Sequence, residues 1–242
     1  LSPEDLAYVL ASALLHAFWS VSIKSSADPL CFNLLQSWVA AVVLALIAPA
    51  VDFGEIPGRV WLLLAATGPV HAAYLYWMSR AFQHGELSLV YPIARSTPAF
   101  LPLVAAPLLG ERISALGAAG IAVVVAGIWL VHGARRWSSG LLWQPATRFA
   151  FLTLAATVAY SLIDKAAMAS FAAAPWESRV PRAIVYSILL SNVHAICFAP
   201  LVLRARGAAA LRDAARSQFR TATIASLVSF ASYTLILSAL ES

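Results

Sequence analysis

Residues 60–109 read VWLLLAATGPVHAAYLYWMSRAFQHGELSLVYPIARSTPAFLPLVAAPLL, and this stretch decides the fold. Two apolar runs, 60–83 and 87–109, stand back to back with a tight Gly85-Glu86 turn between them. A helix needs about 20 apolar residues to cross the hydrocarbon core of a bilayer. Each run has that length, and the turn leaves no room for a soluble domain. The stretch therefore reads as two consecutive transmembrane helices, with one arginine, Arg95, inside the second.

The same pattern extends in both directions. Apolar segments at about 6–23 and 30–51 precede the stretch, and others at 113–132, 147–169, 181–203 and 221–240 follow it. Hydrophobic residues make up 61% of the 242 and charged ones 11%, with a mean hydropathy of +0.80. Soluble domains carry about 25% charged residues, and one soluble core of this size cannot hide so much apolar surface, so lipid is part of the solvent. The expected fold is an all-α, polytopic transmembrane helix bundle of about eight spans. Ser2-Pro3-Glu4-Asp5 is a helix-start signal, and the first segment reads as a first span, not a cleaved leader. The net charge of +5 comes from basic residues between apolar stretches, where topology signals and anionic headgroups place them. That pattern argues for a lipid bilayer as partner and against nucleic acid. Cys31 and Cys197 lie in apolar stretches and read as packing residues, not a disulfide framework.

A weak repeat is visible. Phe18-Trp19-Ser20-Val21-Ser22-Ile23-Lys24 aligns with Ala159-Tyr160-Ser161-Leu162-Ile163-Asp164-Lys165 on the lysine, and residues 76–83 loosely match 234–241. Residues 1–134 then form a first repeat of five spans, 135–146 a linker, and 147–242 a second repeat with three. An odd number of spans per copy inverts the second copy relative to the first. The expectation is ten spans in all, with two further helices beyond Ser242.

Residues 73–95, AYLYWMSRAFQHGELSLVYPIAR, and 109–114, LGERIS, resemble the EamA-type transporters of the drug/metabolite transporter superfamily. His16-Ala17-Phe18-Trp19-Ser20 with Lys24 resembles the first-span signature of that family. Ser96-Thr97-Pro98 departs from it, standing where relatives often have glycine. The resemblance implies two inverted five-helix halves, a substrate path between them and cytoplasmic termini. Basic residues concentrate instead on the side reached after spans one, three, five and seven, which by the positive-inside rule puts the N-terminus outside. The family orientation is the one adopted.

Arg95 lies about 12 Å into the fourth span at 1.5 Å per residue. A charge at such depth costs roughly 2.5–3.5 kcal/mol on insertion scales, so it should face the bundle interior or water. Pro92, Pro98, Pro102 and Pro107 crowd the same segment and predict a kinked or unwound helix beside a cavity or other helices. Arg95 either binds an anionic group of a substrate or pairs with Asp164. Asp164 has no acidic counterpart in the first copy, where Ile23 stands, and is a candidate proton carrier; Lys24 and Lys165 read as snorkelling interface residues. His16, near the middle of the first span, is either a packed core residue or a proton or ligand group. His71 and His194 have the same two readings. The histidines lack the i,i+4 spacing of a metal site, and neither a metal nor another cofactor is expected.

Trp19, Tyr74, Tyr76, Tyr91, Tyr160 and Tyr233 are the aromatic candidates for lining an organic-ligand cavity, with packing or an interface belt as the competing use. The candidate substrate-binding set is Arg95, Tyr91, Trp19, Tyr74, Tyr76, Tyr160, His16 and Asp164. Glu111-Arg112 reads as a local pair at a helix turn. Small residues in the fifth span, among them Gly117, Gly120 and Gly127, suit close helix approach or a homodimer face. With no nucleophile–base triad or nucleotide loop, an enzyme has no positive support. The function expected is secondary transport of a small organic metabolite or drug-like solute across a cytoplasmic (inner) membrane by alternating access. A non-transporting membrane scaffold or sensor is the alternative.

Overall fold

The computed structural model describes residues 3–109, 113–133 and 143–241. Regular structure among them is helical throughout, in the order α1 (Pro3–Lys24), α2 (Pro29–Leu35), α3 (Ser37–Ile47), α4 (Gly58–His84), α5 (Leu87–Ala94), α6 (Thr97–Leu109), α7 (Ala115–Gly133), α8 (Pro145–Ala172) and α9 (Arg182–Glu241). Short 3-10 turns at Ala48–Ala50 and Phe53–Glu55 join α3 to α4. Glu111-Arg112 and most of the 135–146 linker lie outside the described residues.

Helix α1 shows how lipid shapes the sequence. Leu6, Leu10, Leu14, Phe18 and Val21 form an exposed stripe at three- and four-residue spacing, while Ser12, Trp19, Ser20 and Ile23 are buried on the other side. Large apolar side chains turned outward also occur at Leu46, Leu62, Leu116, Val123 and Ile196. Among the described residues, five helical segments are long and apolar enough to cross a membrane: Pro3–Lys24, Pro29–Ala50, Leu87–Ala105, Pro145–Ala172 and Arg182–Ala239. Such a chain is a multi-pass membrane protein. Helix α4, at 27 residues, is as long but less apolar, because its polar face of Thr67, His71, Tyr74 and Ser79 is buried inside the bundle. It packs along α8 and α9, while α1, α2 and α3 pack on α9.

Two apolar runs are broken differently from a simple span list. The second run divides into α2 and α3 at Gln36, and Asp28 caps its start by accepting from the Leu30 and Cys31 N–H groups at 2.9 and 3.3 Å. The fourth divides where its prolines predict. Pro98 has no N–H for the Ala94 carbonyl, so α5 ends there; the Ser96 hydroxyl takes the Pro92 carbonyl at 2.8 Å, and α6 restarts with Ala99 N–H on the Ser96 carbonyl at 2.9 Å. Pro98 is thus in the first turn of a new helix, where proline is tolerated.

The seventh and eighth runs form the two arms of α9, separate helices that meet at Gly207, whose φ of 79° and ψ of 166° are not helical. The Ser187 and Thr234 hydroxyls, one on each arm, lie 3.1 Å apart, so the arms fold back on each other. The basic 204–220 stretch is not a separate surface helix. Ala208, Ala209, Ala210, Ala214 and Ala215 favour helix and no Gly or Pro interrupts residues 208–241, so the stretch continues into the last apolar run. Helix α7 lies at the periphery against α5 and α6. A Cβ built at Gly120 or Gly127 meets nothing within 4 Å, so these glycines do not serve close packing within the chain.

Candidate functional site

A cavity of about 110 Å³ opens where α1, α2, α3, α4, α8 and both arms of α9 converge. His16, Trp19, Asn33, Gln36, His71, Tyr74, Tyr160, His194, Phe230 and Tyr233 supply its larger walls, and Ser187, Ser191, Ser226 and Ser229 its small polar ones. No Asp, Glu, Lys or Arg is among the lining residues.

One wall is a polar shelf built on the α2–α3 break. Trp19 Nε1 donates to Gln36 Oε1 at 2.8 Å, Gln36 Nε2 to Asn33 Oδ1 at 2.9 Å, and Asn33 Nδ2 to Ser79 Oγ at 2.9 Å. Ser79 Oγ in turn donates to the Leu75 carbonyl at 2.7 Å. Ser226 Oγ completes the wall by donating to the Gln36 carbonyl at 2.9 Å. The chain of donors runs one way across α1, α2 and α4, which fixes the amide orientations. Asn33 and Gln36 sit one turn apart in α2 and its cap, so both amides face the same side.

The opposite wall covers a carboxylate. Asp164 of α8 is 1% exposed. Its Oδ2 lies 2.9 Å from His71 Nε2 and also accepts from the Tyr233 hydroxyl; its Oδ1 accepts from the Tyr186 hydroxyl at 2.7 Å. Its partners thus come from α4 and from both arms of α9. The His71 ring stacks on Tyr160 at 3.9 Å and meets Tyr233 edge-on at 5.7 Å. Tyr160 meets Tyr74 edge-on at 5.5 Å, and the Tyr74 hydroxyl accepts from Arg95 Nη2 at 3.1 Å. An unbroken series of side chains therefore joins the partly buried arginine to the buried aspartate.

Of the residues singled out in the sequence, His16, Trp19, Tyr74 and Tyr160 line the cavity. Arg95 and Asp164 stand one side chain back, behind Tyr74 and behind His71 and Tyr233. The direct Arg95–Asp164 pair is replaced by these intermediaries. Arg95 sits at the α5–α6 break with its guanidinium 5.6 Å from the Tyr91 ring centre, so Tyr91 belongs to the arginine's setting, outside the cavity wall. Tyr76 packs against the core away from the cavity. Lys24, read as an interface residue, has its Nζ donating to the Phe82 and Gly85 carbonyls at 2.7 and 2.8 Å, capping the C-terminal end of α4.

Asn33, Gln36 and Tyr186 were not singled out in the sequence, and His71 and His194 were left between packing and chemistry. The amides carried a usable signal, since two polar side chains three apart inside an apolar run must find partners. No group of His, Cys, Asp and Glu among the described residues has metal-site geometry.

Two comparisons bear on what this cavity serves. A model of the EamA-like transporter family matches residues 6–133, which include the cavity-lining residues from His16 to Leu75. The chain is also similar to a protein of Sinorhizobium sp described as an uncharacterized transporter in cobO 3'region. The two are 28% identical over 96 residues, 38% of this chain and 68% of that one.

Proposed function

The chain belongs to the EamA-like transporter family and is a membrane transporter, and from that premise we propose that it is a secondary transporter of a small organic solute. Its two halves are inverted copies that rock about the central cavity in a cytoplasmic membrane. The observation that carries this reading is the composition of the cavity wall. First-copy helices α1, α2, α3 and α4 face second-copy helices α8 and α9 across it. Aromatic rings, amides and hydroxyls line it with no bare charge, the surface that an organic solute with a few polar groups requires.

The packing supports the inverted copies. The repeat pairs α1 with α8 and the end of α4 with the end of α9. Helix α8 lies along α4, and α1 lies along the last arm of α9, where the Ser12 and Ser232 hydroxyls each donate to the other residue's carbonyl at 2.8 and 2.9 Å. In both cases the first helix of one copy packs on the third helix of the other. An exchange of partners of this kind is what a two-fold axis in the membrane plane produces.

The volume supports alternating access. Sites for drug-sized ligands run to roughly 300–1,000 Å³, well above the 110 Å³ here. A larger solute therefore needs a wider state, with His16, Trp19, Tyr74 and Tyr160 making direct contacts and Arg95 reaching it after Tyr74 moves. Reconstitution of the protein in liposomes and flux measurements with a broad panel of metabolites test the reading. Flux that Trp19→Ala and Tyr160→Ala reduce supports it. Absence of flux for the whole panel, in protein that remains folded, would favour a scaffold or sensor.

A further inference from the structure

We propose that Asp164 and His71 form a proton-binding pair whose protonation state sets how tightly α8 is held to α4 and α9. The proposal goes beyond solute transport, because it concerns a proton and is read without any solute.

Asp164 is the most deeply buried carboxylate among the described residues and lies in the interior of α8, within a candidate span. Facing it from α4 are His71 and, one turn on, Tyr74. From α9 come Tyr186, His194 and Tyr233, and α5 brings Arg95 and Tyr91 behind Tyr74. Helix α6, also packed on α8, carries no titratable side chain. The arginine is turned to Tyr74, so among the described residues the carboxylate has His71 as its ion-pair partner, charged only when protonated. A purely structural pair gains nothing from a titratable donor in hydrocarbon, where an amide or hydroxyl would satisfy the oxygen at lower cost.

The chemistry balances as a simple uptake. With Asp164 ionised and His71 neutral, Nε2 carries the ring proton and donates to Oδ2. His71 also lines the cavity. A proton arriving from cavity water at Nδ1 gives an imidazolium–carboxylate pair, or, if the Nε2 proton passes to Oδ2, a neutral acid beside the opposite tautomer. Either way one proton is bound and the charge of the pair rises from −1 to 0, shared between the two groups.

The mechanical effect follows from the other two partners. Tyr186 and Tyr233 donate to the same carboxylate from the two arms of α9, on either side of the Gly207 bend. Hydrogen bonds to an ionised acceptor are roughly twice as strong as neutral ones. When the proton settles on Asp164, the hold of both arms of α9 on α8 therefore loosens at once.

Infrared difference spectroscopy of the purified protein in lipid, between pH 8 and pH 5, reads the site directly. Wild type should gain or lose the carbonyl stretch of a protonated, slowly exchanging carboxylic acid together with an imidazole band. Asp164→Asn should remove the carbonyl band, Asp164→Glu should move it, and His71→Gln should shift the pH at which it changes by about one unit or more. Size-exclusion profile and thermal unfolding establish that each variant is folded, and Asp164→Glu keeps the test open if Asp164→Asn does not fold. Identical spectra for wild type and Asp164→Asn, or no titrating band in wild type, would overturn the proposal. An unchanged titration in His71→Gln would overturn the pairing. A negative result here leaves transport standing, and absence of flux leaves proton binding standing.

Discussion

Trp19 of α1 donates its indole N–H to Oε1 of Gln36, 2.8 Å away at the α2–α3 break. Both residues are buried, and the contact is the head of the donor chain that ends on the Leu75 carbonyl. Trp19→Phe keeps most of the ring and removes the donor, leaving Oε1 short of a partner. Hydrogen bonds between membrane helices average about 0.6 kcal/mol, while an abandoned buried acceptor costs roughly 1–3 kcal/mol. The expected loss is about 1 kcal/mol in denaturant unfolding in micelles. A Trp19→Phe, Gln36→Leu double variant, with neither donor nor acceptor at that point, should lose less than the sum of the single changes. Strict additivity would show that the bond does not couple the helices.

Arg95 and Tyr74 make a second testable pair. If the guanidinium serves solute movement through the cavity, Arg95→Ala should lower flux at least tenfold at matched expression. Arg204→Ala, which removes an exposed arginine on α9, should stay near wild type. Tyr74→Phe removes the acceptor of the Arg95 N–H at 3.1 Å and should reduce flux by a smaller factor, because the ring and its contact with Tyr160 remain. Wild-type flux in the Arg95→Ala liposomes would remove Arg95 from the site.

The closeness of α4 and α9 rests on one glycine. A Cβ at Gly68 would stand 2.4 Å from Val193 Cγ1, inside any real contact distance. Gly68→Ala should cost about 1–3 kcal/mol through overpacking, one turn from His71, and should also disturb the cavity. Val193→Ala removes the obstructing methyl and should restore most of the loss in the double variant. Unfolding midpoints of the four proteins in a double-mutant cycle measure the coupling. A coupling near zero would mean that the helices simply move apart.

How much of this was legible in the sequence depends on the range of the interaction. The break at Arg95–Ser96 was readable because Pro92 and Pro98 act through their own backbone. The lipid-facing stripe of α1 was readable because it repeats at helical spacing. His71, Asp164, Tyr186 and Tyr233 were not readable as one cluster, since they are 93, 22 and 69 positions apart in their pairings with Asp164 and no local period marks them. The partners of Lys24 were not readable either, because the Phe82 and Gly85 carbonyls become available only once α4 has ended beside it. The reach of the last helix back through residues 208–220 was obscured by arginines, which signal water in a hydropathy reading although the alanines between them favour helix.

The Gly207 bend separates a backbone effect from a packing effect. Its φ of 79° and ψ of 166° lie in a region that is essentially glycine's alone, and an L-residue there costs of order 1–3 kcal/mol. A Cβ at Gly207 meets nothing within 4 Å, so crowding contributes nothing. Gly120 offers the matched control: a Cβ there also meets nothing, but the residue lies inside α7, where alanine is favoured over glycine by roughly 0.5–1 kcal/mol. Gly207→Ala should therefore destabilise and Gly120→Ala should stabilise, although neither new methyl touches a neighbour. The bend also places Arg206 against Asp28, the residue that caps α2. Gly207→Ala should weaken that ion pair by pushing the junction toward helical φ/ψ and splaying the arms of α9, and spin labels on the two arms should report a longer separation. A Gly207→Ala protein with wild-type stability and unchanged label distance would show that the bend is held by the packing of the arms on α1–α4, not by glycine.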